Sequence, residues 1–239
     1  MTDARTARKA SRGTATRGRA ASSGAGRKPG VRELSAQATR DSLLRSAIKV
    51  FARHGFDGGS VEQISSTANS HDRMIYYYFG SKQGLYTAVL EEIYRRFDEA
   101  EATLELDLEH PLAALVDVVR FMIGYYRRNP EFIALLNIEN LQRGRNIARA
   151  RRKGEYSSPA LGVIDQLLVS GKARQVFRDD ISARDLYLMI AALGYFYQSN
   201  RYTLSAFLGE NLEAPQAQSH WEAFVIDAVL RQVSPQPPT

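Results

Sequence analysis

From Ala36 onward, large apolar side chains recur every three or four positions, and no stretch of useful length alternates in the two-residue rhythm of a strand. That periodicity excludes a sheet-based core, and the fold class it predicts is all-α. Leu43, Leu44, Ala47, Ile48 and Phe51 form a first stripe, closed by Gly55 and the turn Asp57-Gly58-Gly59. Ser60 opens a second helix, and Gln63 three residues on completes a capping box ahead of Val61, Ile64 and Ala68. Asn69, which tolerates the left-handed conformation of a tight turn, ends it. A third helix is expected over about 71–79, and a fourth starts at the N-cap Ser81 and runs through Leu85, Val89, Ile93 and Phe97. One supporting helix followed by two short ones across a tight turn is the helix-turn-helix arrangement.

Beyond residue 108 the punctuation changes to proline in the first helical turn. His110-Pro111, Asn129-Pro130 and Ser158-Pro159 each read as a cap followed by proline, which places helices near 111–128, 130–143 and 158–170. Ser182 with Asp185 opens another helix carrying Leu186, Ile190, Leu193 and Tyr197, and a last one near 217–232 carries Trp221, Val225 and Val229. Residues 144–157, with several basic side chains and two glycines, read as a loop or a short broken helix. The expected organisation is a basic tail (1–34), a three-helix head (35–82), a larger helical domain (83–232) and a short tail (233–239).

Charge separates the first of these segments from the rest. Residues 1–34 hold nine Lys/Arg against two acids, a net of +7, so the whole-chain charge of +6 leaves −1 for the remaining 205 residues. With almost no large apolar side chain, such a segment cannot bury enough surface to offset its ordering entropy and is expected to be disordered. It suits either non-specific attraction to nucleic-acid phosphates or a solubilising leader. It lacks the apolar stretch of a secretory signal, and no apolar run reaches membrane-spanning length, so no membrane partner is expected and the default address is cytoplasmic. The absence of cysteine excludes disulfides, thiolate metal sites and a cysteine nucleophile. His54, His71, His110 and His220 are scattered, and neither a nucleophile elbow nor a phosphate-cradling glycine loop occurs, so no enzyme, cofactor or metal is expected.

The stretch "HDRMIYYYFGSK", residues 71–82, carries the most chemistry. Adjacent helical residues point about 100° apart, so three consecutive tyrosines cannot all face inward. With Ile75 turned to the core, Arg73 and Tyr77 fall opposite, Met74 and Tyr76 flank them, and Asp72, Tyr78 and Phe79 lean back. An outward face of Arg, Met and Tyr suits a major groove: guanidinium for guanine, apolar surface for thymine methyls, phenols for phosphate oxygens. Lys82 and Ser60, each at a helix start, are placed to meet phosphate. The candidate DNA-facing set is therefore Ser60, His71, Asp72, Arg73, Met74, Tyr76, Tyr77, Tyr78 and Lys82. Without DNA, the tyrosines would serve as the amphipathic rim of a small three-helix domain.

Residues 37–90, "QATRDSLLRSAIKVFARHGFDGGSVEQISSTANSHDRMIYYYFGSKQGLYTAVL", resemble the DNA-binding domain of the TetR family of transcriptional repressors. The matching elements are Phe51, Gly55 and Phe56, Ser60-Val61, Ile64, Ala68, Tyr76 to Phe79, and Ser81-Lys82. Asn69-Ser70-His71 stands where the family usually has Gly-Val-Ser, so either His71 or Ser70 caps the reading helix, and Gly80 stands where proline is frequent. Residues 110–230 are more loosely similar to the ligand-binding domain of the Rut-repressor branch. The resemblance implies a homodimer that holds a palindromic double-stranded operator and releases it on binding a small molecule. A rival reading is an effector-independent DNA scaffold or nucleoid-associated protein that uses the basic tail.

Candidate effector contacts are polar tips on apolar helices: Tyr125, Glu139, Tyr197, Gln198 and Asn200. Glu139 shares a face with Phe132, Leu135 and Leu136, where a charge is costly unless paired. Either a ligand or Arg143, one turn on, could supply the pairing. The last two long helices are expected at the dimer interface, with Tyr195, Phe196, Tyr202, Phe207 and Trp221 as candidate anchors.

Overall fold

The computed structural model describes residues 30–150 and 159–235, and all regular structure among them is helical. The first helix, α1 (Val31–Gly58), begins inside the segment assigned to the basic tail. The Gly30 N–H donates to the Glu33 carboxylate at 2.8 Å and Leu34 N–H to the Gly30 carbonyl at 3.0 Å, which gives that start a local hydrogen-bonded cap. The remainder of the predicted tail lies outside the described residues. Near its end α1 kinks at Gly55, whose φ of 71° only glycine adopts cheaply.

Two short helices follow, α2 (Val61–Thr67) and α3 (Asp72–Phe79), and then α4 (Lys82–Glu101). Ser60 and Gln63 form the expected reciprocal cap, with N–H to side-chain distances of 3.1 and 3.0 Å. Ser81 caps α4 by accepting the Gly84 N–H at 2.9 Å. Leu43, Ala47, Phe51, Ile64, Ile75, Leu85 and Tyr86 are fully buried and form the core of this head. Each of the leucine, isoleucine and phenylalanine side chains among them contributes roughly 1.5–3 kcal/mol on leaving water. Phe51, Phe56 and Tyr86 meet ring to ring, with Tyr86 edge-on to Phe51 at 5.1 Å.

The larger part holds α5 (Pro111–Arg128), α6 (Pro130–Leu141), the short α7 (Ile147–Ala150), α8 (Pro159–Ala173), α9 (Ala183–Leu208) and α10 (Pro215–Val233). α5 is buried on most sides, as its apolar residues all round require. α6 stops at Leu141, short of the expected 143, because Arg143 and Gly144 turn left-handed with φ of 58° and 67°. α7 falls in the predicted loop or broken helix, whose residues 151–157 lie outside the described ones, as does the expected cap Ser158. α10 opens on Pro215, two residues before the expected start, and runs one residue into the assigned C-terminal tail. Val233 is fully buried there, and its carbonyl accepts the Arg178 N–H at 2.8 Å.

The boundary expected between residues 82 and 83 does not coincide with a break in packing. α4 belongs to both parts: Leu85 and Tyr86 sit in the head core, while Phe97 lies among Phe121, Tyr125 and Phe132 at centroid distances of 5.9, 4.9 and 5.6 Å.

Candidate nucleic-acid interface and effector region

The turn before α3 uses Asn69 at φ 49°, and the Ser70 N–H closes it onto the Ser65 carbonyl at 2.9 Å. His71 is the N-cap residue by backbone geometry, but its exposed side chain makes no capping bond. The helical rotation places the rest as periodicity predicts. Ile75 is fully buried, Tyr76 is 54% and Tyr77 77% exposed, and Arg73 projects into solvent. Met74, Tyr78 and Phe79 are half-buried against the core, with Tyr78 edge-on to Tyr77 at 5.0 Å. The rim role thus falls to Met74 and Tyr78, and the outward face consists of Arg73, Tyr76 and Tyr77.

Asp72, assigned to the DNA-facing set, is half-buried and turned toward α2. Its carboxylate accepts a short hydrogen bond from the hydroxyl of Ser65, a buried residue of α2. A carboxylate in the first turn of a helix is favoured by the macrodipole there, whereas phosphate would repel it. Asp72 is a clasp between α2 and α3. The Ser60 hydroxyl oxygen accepts the Gln63 N–H as the cap of α2. Lys82, at the first position of α4, holds its ammonium 4.8 Å above the Phe56 ring and 3.5 Å from the Asp57 carbonyl, which fixes a cation at that helix start. Arg40 lies 5.1 Å over the ring of Phe79 at the far end of α3.

The five candidate effector contacts are not brought together. Tyr125, 6% exposed, lines a cleft between α1, α4, α5 and α6, and burial pushes its phenol pKa up. Glu139 is 2% exposed and faces neither that cleft nor Arg143. Its carboxylate accepts the Asn146 N–H at 3.2 Å, the Asn146 amide at 2.9 Å and the Ile147 N–H at 3.1 Å, and so caps α7. The Asn146 carbonyl oxygen in turn accepts from the Gln83 amide at 3.1 Å, so one buried network ties the α6–α7 corner to the first turn of α4. Buried beside this carboxylate is the Tyr86 hydroxyl; desolvation, then the nearby charge, pushes its pKa well above the usual phenol value. Neither a ligand nor Arg143 is needed to explain Glu139.

On α9, the Tyr197 hydroxyl donates to the Leu212 carbonyl at 2.8 Å and its ring stacks on Trp221 at 5.3 Å. Gln198 is buried, and the Asn200 amide donates back to the Phe196 carbonyl at 2.9 Å on the exposed side. Among the expected interface anchors, Tyr195 donates to Asn137 and the Trp221 indole to the Leu193 carbonyl, so both serve the chain's own packing. Phe196, Tyr202 and Phe207 are 55%, 61% and 85% exposed, joined by Leu208 and Phe224. Phe196, Asn200 and Phe207 share one helical face.

Two family descriptions match the chain. Bacterial regulatory proteins of the tetR family match residues 43–89, and the Tetracyclin repressor-like C-terminal domain matches residues 111–229. The HTH-type transcriptional repressor NicS of Pseudomonas putida is 49% identical over 205 residues, which covers 86% of this chain and 97% of that protein. The chain belongs to the TetR family. The HTH-type transcriptional regulator RutR of Escherichia coli K12 is 33% identical over 120 residues, 49% of this chain and 55% of that one, in keeping with the Rut-repressor resemblance. The fold is shared with the fatty acid degradation regulator FadR from Bacillus halodurans, at a TM-score of 0.60, 19% identity, and coverage of 85% of this chain and 97% of that one. This TetR-family chain is thus a DNA-binding transcriptional regulator by descent, and no described helix is long and apolar enough to cross a membrane.

Proposed function

We propose that the chain is a homodimeric, ligand-responsive repressor that reads a palindromic operator with α3 and releases it when a small molecule binds the larger domain. The observation that carries this reading is the outward face of α3, where Arg73, Tyr76 and Tyr77 stand in solvent on a helix whose opposite side is locked by Ile75 and Asp72. Large exposed aromatics need a partner, and here they are interleaved with a cation. One reading helix per chain needs a two-fold partner to gain specificity, and the exposed aromatic face of α9 and α10 suits that role. Footprinting across genomic DNA should show protection of discrete imperfect palindromes with half-sites one helical turn, or multiples of it, apart. Uniform coating without preference would instead establish the scaffold reading.

Within that interface, Arg73 is assigned to base readout and Lys82 to phosphate. Arg73→Ala should cost about 1–3 kcal/mol and relax preference at one base-pair position, whereas Lys82→Ala should weaken all sequences alike and lower the salt slope by about one unit. Affinity titrations on operator variants at several salt concentrations separate the two outcomes. Uniform loss in both variants would remove Arg73 from the reading set.

A further inference from the structure

The cleft between α1, α4, α5 and α6 has a volume of about 150 Å³. A cavity of that size holds a benzene-sized body. Its floor is apolar: Ile48, Ile93 and Phe132 are each about 95% buried yet line it. Its rim is cationic. Arg45 and Lys49 lie one turn apart on α1, both solvent-exposed and without an ion-pair partner among the described residues, and Arg96 of α4 joins them, shared with Glu92 at 2.7 Å. Glu131 supplies a carboxylate on the rim and Glu92 already takes up Arg96, which leaves Arg45 and Lys49 as the cations without an ion pair among the described residues. Like charges at this helical spacing cost a few tenths of a kcal/mol, which a bound anion would relieve. The Tyr125 phenol, whose pKa burial raises further, adds a neutral donor beside them.

We propose that this cleft binds a ring-sized organic monocarboxylate, its ring on Phe132 and the two isoleucines and its carboxylate between Arg45, Lys49 and Arg96. An uncharged ring would fill the floor but gain nothing from the rim cations. The position gives such a ligand leverage. α1 carries Phe51 and Phe56, on which Tyr86 and Lys82 pack, while Phe132 belongs to α6, so a ligand clamped across the cleft alters how the reading head rests on the larger domain. That consequence rests on the repressor reading; the binding site itself does not.

The test uses the full-length protein, with benzoate as probe and benzamide as its neutral isostere. Calorimetry should show millimolar or tighter binding of benzoate, about tenfold or more stronger than benzamide. The double variant Arg45→Gln/Lys49→Gln should lose benzoate affinity by about tenfold or more at an unchanged thermal midpoint, while the charge-conserving Arg45→Lys/Lys49→Arg keeps it. No benzoate binding at millimolar concentration, equal affinity for benzamide, or wild-type benzoate affinity in the glutamine variant would overturn the site. Charge-dependent benzoate binding with unchanged operator affinity would keep the site and sink only its role as an effector site. The same binding by a protein that protects no discrete operator would keep the site and sink the repressor reading.

Discussion

Gly84→Ala is expected to lower the thermal midpoint and to weaken operator binding about tenfold or more, although the same change in an ordinary helix is stabilising. Alanine in place of glycine within a helix normally gains about 1 kcal/mol. At Gly84 a Cβ would stand 2.1 Å from the Phe79 carbonyl oxygen and 3.3 Å from its carbon. Both are backbone atoms of the reading helix, and no rotamer change can move them. The link between α3 and α4 is only Gly80 and Ser81, and Ser81 is itself held by its bond to the Gly84 N–H. Relief must come from sliding the end of α3 away from α4, at a cost of about 1–3 kcal/mol for overpacking. A slide of roughly an ångström also takes Arg73 and Tyr77 out of register with the groove, and misplacement on that scale is severe for preorganised contacts. Gly162→Ala in α8, where nothing lies within 4 Å of the added carbon, is the control and should be neutral or stabilising. Thermal melts with parallel operator titrations measure both effects. A Gly84→Ala protein as stable as its parent, with parental affinity, would show that α3 and α4 are not locked by this contact.

The second large effect belongs to Glu139. Glu139→Ala removes an acceptor that satisfies two backbone N–H groups and the Asn146 amide at a site 2% exposed. Hydrogen bonds to a charged group are worth about 1.5–3 kcal/mol net each, and stranded donors add about 1–3 kcal/mol, though terms sharing one acceptor do not sum. A destabilisation of about 3 kcal/mol is expected, which is roughly 6–12 °C in thermal midpoint for a chain of this size. Glu139→Gln keeps the shape but turns an amide N–H₂ toward donors, and should fall between the parent and the alanine variant. The network continues through Asn146 to Gln83, next to Lys82, so both variants should also alter operator affinity. Unchanged stability in Glu139→Ala, with loss of the response to a small molecule, would restore this carboxylate to the list of ligand contacts.

What the sequence determined on its own is what depends on spacing within one element or one turn. The outward face of α3 follows from a 100° rotation about Ile75, and that rotation is set by backbone geometry whatever surrounds the helix. The Ser60–Gln63 cap, the left-handed Asn69 and the Ser81 cap are likewise contacts between residues at most three apart. The tertiary structure decided which way ambiguous polar groups turn, because that depends on donors remote in the chain. Asp72 could as well have met solvent as Ser65, and the wheel alone does not distinguish them. Glu139 read as a charge seeking a ligand or Arg143, since nothing local announces that the chain reverses at Gly144 and returns Asn146 and Ile147 to its carboxylate. Gly84 reads as an ordinary helical residue, and only the angle at which the Gly80-Ser81 link sets the end of α3 against α4, with the Phe79 carbonyl over this position, makes its missing Cβ a requirement. The cationic cleft joins residues of α1, α4 and α6 that are tens of positions apart, so no periodicity within one helix could have assembled it.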